Sequence, residues 1–274
     1  MTVGLPTPDT EAGRAGLAAL LAEPGRALAA FDFDGTLSPI VPDPEQARAH
    51  PAAPAALRRL AGAVGRVAVV TGRPAALAVE YGSFAGVPGL VVLGHYGLER
   101  WEAGRTSAPP ASAGVDAARR RLPALLAEVG APEGTWVEDK GHAVAVHVRR
   151  VADPAAAFAL LERPLGRLAE DTGLVVEPGR MVLELRPPGL DKGHAVRALA
   201  DELDPSVVLF FGDDLGDLAA FDAVDGLRSA GTPGLLVCSG STEVTALAER
   251  ADLVVDGPQG VVDLVTALAG ALGS

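Results

Sequence analysis

Apolar residues in this chain come in short uncharged runs set between stretches of helical periodicity. Ala27-Leu28-Ala29-Ala30 carries no charge, as a strand buried on both faces of a parallel sheet requires, and it leads into Phe31-Asp32-Phe33-Asp34-Gly35-Thr36-Leu37. Arg66 to Val70, Leu90 to Leu93, Val207 to Phe211, Leu235 to Val237 and Leu253 to Val255 repeat the pattern. Leu17, Leu20 and Leu21 predict a short helix in the first 25 residues, and Leu57 to Ala63 predicts another. Asp191 can cap a further helix starting at Lys192-Gly193-His194. Ser38 to Pro54, with prolines at 39, 42, 44, 51 and 54, predicts an extended loop. Strands alternating with helices predict an α/β fold around a parallel sheet.

The alternation is interrupted. The pattern predicts helix over 112–129, strands over 135–139 and 143–149, helix over 154–171, and strands over 173–177 and 181–186. Two similar helix–hairpin halves predict a smaller α+β unit inserted into the larger domain. Ala103-Gly104 and Pro187-Pro188-Gly189 mark its borders. The expected division is a core of 1–105 and 188–274 with an insert of 106–187.

Polar residues gather where the apolar runs end. Asp32 and Asp34 are two apart, so they share a strand face if the extended geometry persists, at the sheet end where open α/β folds place ligands. Paired carboxylates there cost desolvation and repulsion unless a cation joins them. Mg2+ suits such oxygen ligands and keeps positions open for phosphate. Thr71-Gly72-Arg73-Pro74 ends the second run, and Pro74 fits the first turn of a helix. A threonine hydroxyl, backbone N–H groups and a helix amino end then face one mouth, which are phosphate-binding parts. Lys192 and Gly212-Asp213-Asp214-Leu215-Gly216-Asp217 complete the set. Singly these read as turns, caps or a solvated lysine; together at matching strand ends they read as one site.

Composition narrows the partners. A formal charge of −12 in 274 residues argues against a nucleic acid or an anionic membrane surface, so any phosphate site is local. Cys238 is the single cysteine, which excludes an internal disulfide and a cysteine-based zinc site. The five histidines have no metal-type spacing, and His142 and His147 read as ordinary loop and strand residues. No run is long and apolar enough for a membrane span, and the amino end lacks the pattern of a secretion signal. A cytoplasmic protein is expected.

The order and wording of these motifs resemble the haloacid dehalogenase superfamily of phosphohydrolases and, within it, the trehalose-6-phosphate phosphatases. Asp32 to Leu37 is similar to the superfamily's nucleophile motif, and Thr71-Gly72-Arg73 to the family's Ser-Gly-Arg. Glu138-Asp139-Lys140-Gly141 and His147-Val148-Arg149 resemble its cap motifs. Gly179-Arg180-Met181-Val182-Leu183-Glu184-Leu185-Arg186-Pro187 followed by Asp191-Lys192-Gly193 is the most family-specific match. The resemblance implies a Rossmann-like core with an α+β cap, and Mg2+-dependent hydrolysis of a small-molecule sugar phosphate; a monomer is expected. It implies Asp32 as nucleophile and Asp34 as acid and base, the latter's backbone carbonyl on the metal. Asp32 and Asp213 would supply further metal oxygens, with Asp214 and Asp217 on the metal directly or behind its ligands, and Thr71 and Lys192 would hold the phosphoryl group. Arg73, Glu138, Lys140, Arg149 and Glu184 would contact substrate, and the cap would close over the sugar. Tyr96 stands where the family usually has His, Gly216 where it has Thr, and Leu218 and Ala219 where it has acidic residues. Those departures keep other sugar or glycerate phosphates open as substrates. A phosphomutase and a non-catalytic sensor are the remaining alternatives.

Overall fold

The computed structural model describes residues 4–179, 181–240 and 246–273. The first apolar runs become β1 (Ala27–Phe31), β2 (Arg66–Val70) and β3 (Val91–Gly94), followed by β4 (Glu99–Glu102) and β5 (Arg105–Ser107). Then come β6 (Trp136–Asp139), β7 (Val144–His147), β8 (Val175–Gly179) and β9 (Val182–Arg186). The chain ends with β10 (Val207–Gly212), β11 (Gly234–Gly240) and β12 (Leu253–Asp256). The helices are α1 (Glu11–Ala22), α2 (Ala53–Ala61), α3 (Ala75–Gly82), α4 (Ala113–Glu128), α5 (Pro154–Thr172), α6 (Lys192–Leu203), α7 (Leu218–Ser229) and α8 (Gly257–Leu272). No helix among the described residues is long and apolar enough to cross a membrane.

By contact the chain divides into two units, Met1–Ala108 with Leu190–Ser274, and Pro109–Gly189. The first holds an eight-stranded sheet in the order β12-β11-β10-β1-β2-β3-β4-β5. Its strands are parallel from β12 to β3, while β4 and β5 return antiparallel. β1 is buried at every residue because helices cover both faces. Ala27, Ala29 and Phe31 join the cluster with α1, α2, α3 and α8, whereas Leu28 and Ala30 join the cluster with α6 and α7. That alternation explains the uncharged run, since neither face meets water. Phe31 sits opposite Phe211 and their rings stack 4.4 Å apart. Each such fully buried side chain contributes about 1.5–3 kcal/mol, so the central strands form a stiff base for the loops at their carboxyl ends.

The second unit is a four-stranded antiparallel sheet, β6-β7-β9-β8, with α4 and α5 packed on one face. Val144, Val146, Leu183 and Leu185 meet Val115, Leu122, Leu161 and Leu165 there.

Two expectations change. Ala103-Gly104 is not a joint but the turn of the β4–β5 hairpin, both residues having positive φ (49° and 79°). That geometry matches the right-handed twist of a two-residue hairpin turn, so the large sheet continues through residue 107. The second helix starts at Ala53, not Leu57, with Pro54 in its first turn, where the missing N–H costs nothing.

Candidate active site

The carboxyl ends of β1 and β10 lie side by side. Asp32 follows β1 and its N–H still donates to the Phe211 carbonyl (2.8 Å), so the strand geometry persists to the first aspartate. Gly35 then takes φ +85°, and a Cβ there would fall 1.9 Å from Asp213 Oδ2. Only glycine lets the two loops approach this closely. Ser239, just past Cys238 in β11, donates to the Gly35 carbonyl (2.7 Å) and holds the turn in place. Lys192 opens α6, which Asp191 caps by accepting the His194 N–H at 2.6 Å. Its Nζ reaches Asp32 Oδ1 and Asp217 Oδ1, each at 2.7 Å. Asp217 Oδ2 accepts the N–H groups of Asp213 (2.9 Å) and Asp214 (3.3 Å). One oxygen from each of Asp32, Asp213 and Asp217 lies within 4.8 Å of the others. All three are buried.

Three carboxyl groups and one ammonium are buried together. Burial pushes Asp32 well above the ordinary carboxylate range; Lys192 opposes the shift, and Asp217 and Asp213 add to it. Burial, reinforced by Asp217 and Asp214, raises Asp213 to about 7. Asp217 is raised too, chiefly by burial. Burial lowers the Lys192 pKa, but Asp217 and Asp32 outweigh it and hold the group well above the ordinary lysine range. Among the described residues no Lys or Arg pairs with Asp213.

The other predicted core residues fall outside this group of three. The Asp34 side chain turns to Arg73, whose Nε and Nη2 donate to its two oxygens at 2.7 Å each. Asp214 is exposed and caps the next turn, accepting from Gly216 N at 2.9 Å. Thr71 is buried and its Oγ1 accepts the Arg73 N–H at 3.1 Å, which leaves the hydroxyl hydrogen free to donate elsewhere.

In the second unit, register puts Glu138, Ala145, Glu184 and Glu177 in one row across the sheet face away from α4 and α5. Lys140 Nζ pairs with Glu184 (2.5 Å), and His147 Nε2 lies 2.8 Å from Glu138. The His147 ring stacks on Trp136 at 4.3 Å. Arg149 lies exposed just past β7. Arg180 lies outside the described residues.

The trehalose-phosphatase family profile matches residues 30–254, most of the chain and both units. The chain belongs to the trehalose-phosphatase family. It is similar to the trehalose-phosphate phosphatase of Mycobacterium marinum, 34% identical over 251 residues, 88% of this chain and 61% of that protein. It is similar also to that of Mycobacterium avium, 38% identical over 215 residues, 75% of this chain and 53% of that one. The chain thus spans less than two thirds of the length of these relatives. Among solved structures, the C-terminal domain of C. albicans trehalose-6-phosphate phosphatase shares the fold, with a TM-score of 0.73, 22% identity, and 97% and 99% of the two chains covered.

In this member of the trehalose-phosphatase family, Tyr96 occupies a strained turn. Tyr96 and His95 both have positive φ (58° and 46°), a conformation that costs non-glycine residues of order 1–3 kcal/mol each. The Tyr96 N–H donates to the Thr71 carbonyl (3.0 Å) and the His95 N–H to that of Arg73 (3.0 Å), stitching this turn to the Thr71–Pro74 loop. A Cβ at Gly72 would sit 2.7 Å from the Tyr96 hydroxyl oxygen. Sequence reasoning missed Ser239 and the pairing of Arg73 with Asp34. Ser239 carried a usable signal, a polar residue ending an apolar strand like Asp32 and Asp213. The pairing carried none.

Proposed function

We propose that this chain hydrolyses trehalose 6-phosphate to trehalose and inorganic phosphate, with Mg2+ as cofactor and a phospho-enzyme on Asp32. The observation that carries the reading is Asp32 itself, buried beside Lys192, Asp213 and Asp217 in a chain of this family. A divalent ion fits the group on its chemistry: the donors are all hard oxygens, three carboxyl groups stand beside one ammonium, and burial with Asp217 and Asp214 nearby raises Asp213 to about 7. Asp32, Asp213 and Asp217 would hold it, and when bound it supplies charge neutralisation to the phosphoryl oxygens.

Asp32 attacks phosphorus with a carboxylate oxygen while the bond from phosphorus to the sugar oxygen breaks. Asp34 delivers a proton to the departing oxygen. Water then attacks phosphorus, Asp34 takes back a proton, and the bond from Asp32 to phosphorus breaks to release phosphate. The Thr71 hydroxyl and the Lys192 ammonium donate to phosphoryl oxygens as charge moves onto them. Glu138, Lys140, Arg149 and Glu184 are the proposed sugar contacts, charged partners making the stronger hydrogen bonds to hydroxyls.

The test is phosphate release from a panel of sugar phosphates with Mg2+ and with EDTA. Trehalose 6-phosphate is expected to be fastest, with the rate lost in EDTA and restored by Mg2+. Asp32→Asn is expected to lose turnover by more than about 10⁴-fold and to form no acid-stable phospho-enzyme. Equal rates on glucose 6-phosphate would reject the specificity, and full activity after metal stripping would reject the cofactor. A second reading, another sugar phosphate as substrate, is favoured by the Tyr96 phenol set against Gly72, and the same panel decides it.

A further inference from the structure

We propose that Arg73 is the positioning residue of the acid–base step, aiming the Asp34 carboxylate rather than binding substrate phosphate. The inference rests on the reading of Asp34 given above. An unrestrained aspartate rotates broadly about its last torsion. Here the planar guanidinium donates through Nε and Nη2 to both Asp34 oxygens, fixing the plane of the carboxylate. Among the described residues no other side chain hydrogen-bonds that carboxylate. The fork uses one lone pair on each oxygen and leaves the other for the travelling proton.

Arg73 is itself held from several sides. Its Nη1 donates to the Pro44 carbonyl (3.0 Å), and its guanidinium lies 5.7 Å from the Phe33 ring and 5.5 Å from the Tyr81 ring. Its main chain donates to Thr71 Oγ1 (3.1 Å) and accepts from His95 (3.0 Å). One residue therefore bears on two working groups: the side chain sets Asp34, and the backbone N–H donates to the Thr71 hydroxyl oxygen. A guanidinium with three of its five donors already bonded within the protein is poorly disposed to capture a phosphate.

Leaving groups separate this role from the alternatives. Trehalose 6-phosphate needs a proton on its departing oxygen, whereas p-nitrophenyl phosphate does not; both need Asp34 for the attack of water. Arg73→Ala is expected to lose on the order of 100-fold in kcat on trehalose 6-phosphate, with KM moved less than about threefold. On p-nitrophenyl phosphate it should give a burst of one nitrophenolate per enzyme followed by a slow steady rate, as Asp34→Asn should. The double variant should be no slower than Asp34→Asn, and added guanidinium should restore part of the rate to Arg73→Ala but none to Asp34→Asn. If Arg73→Ala does not fold, Arg73→Lys and Arg73→Gln carry the same comparisons. A loss that appears as KM alone, or losses that multiply in the double variant, would overturn the proposal. Wild-type protein inactive on every sugar phosphate would instead sink the reading beneath it.

Discussion

Asp32 and Asp34 are two residues apart and each meets a cation, yet the two pairs are electrostatic opposites. Asp32 shares a single ammonium with Asp217, in a site that also buries Asp213. Asp34 has a guanidinium to itself, two-pronged, with 36% of its side chain open to solvent. The buried group is short of positive charge and pushes its acids toward protonation. The rim pair is balanced. On the proposed reading, the difference separates where a divalent ion would bind from where a proton would come and go: the first place would take charge from outside, and the second would exchange it with substrate and water.

The largest effect should follow from taking away the inner cation. Lys192→Met leaves Asp32 and Asp217 buried without their shared partner, and breaking a buried pair in this way costs about 3–5 kcal/mol. Urea unfolding of the metal-free protein should show that loss, alongside loss of turnover. A change below about 1 kcal/mol would mean the inner cluster is no drier than the rim and would erase the contrast.

Much of the core was legible in the sequence because burial on both faces of a sheet forces a one-dimensional signature. Ala27–Ala30 and Val207–Phe211 read as central strands, and the acids directly after them read together as one site at the sheet's ligand end. The second unit was legible from its repeated order of helix and paired strands, and the family match spans both units. The β4–β5 hairpin was not. β4, Glu-Arg-Trp-Glu, buries only Trp101, and the edge strand β5, Arg-Thr-Ser, is exposed throughout, so β5 is held by a backbone ladder rather than by apolar residues. The bond from Arg73 to Asp34 was not legible either, since it joins residues 39 apart through a turn at Gly35 whose direction no local pattern sets.

A smaller effect concerns pH. Asp213 is raised from 3.8 to about 7, so the folded, metal-free chain holds that proton more tightly than the unfolded chain does. Its contribution to stability is fully present below about pH 4 and is lost as pH rises through about 7. Asp32 and Asp217 shift in the same direction. Mg2+ needs the ionised form and must displace the proton, so its affinity should fall about tenfold per unit below pH 7 for each proton displaced. The rise in melting temperature caused by Mg2+ should therefore be larger at pH 8 than at pH 6. An equal rise at both values would show that the ion does not bind through Asp213.

The smallest effect belongs to the rim. Asp34→Asn keeps the side chain's shape, and the pair it weakens is open to solvent on the Asp34 side, where a pair contributes about 0–1 kcal/mol. Stability should fall by less than about 1 kcal/mol while turnover on trehalose 6-phosphate drops by about 10²–10⁴-fold, the range for a lost acid–base group. Arg73 would keep its bond to the Pro44 carbonyl and its place between the Phe33 and Tyr81 rings, so the Thr71–Pro74 loop has no reason to move. A stability loss matching that of Lys192→Met would show that the outer pair braces the fold. Its two 2.7 Å bonds would then be architecture, and the division between a charge-starved interior and a balanced rim would fail.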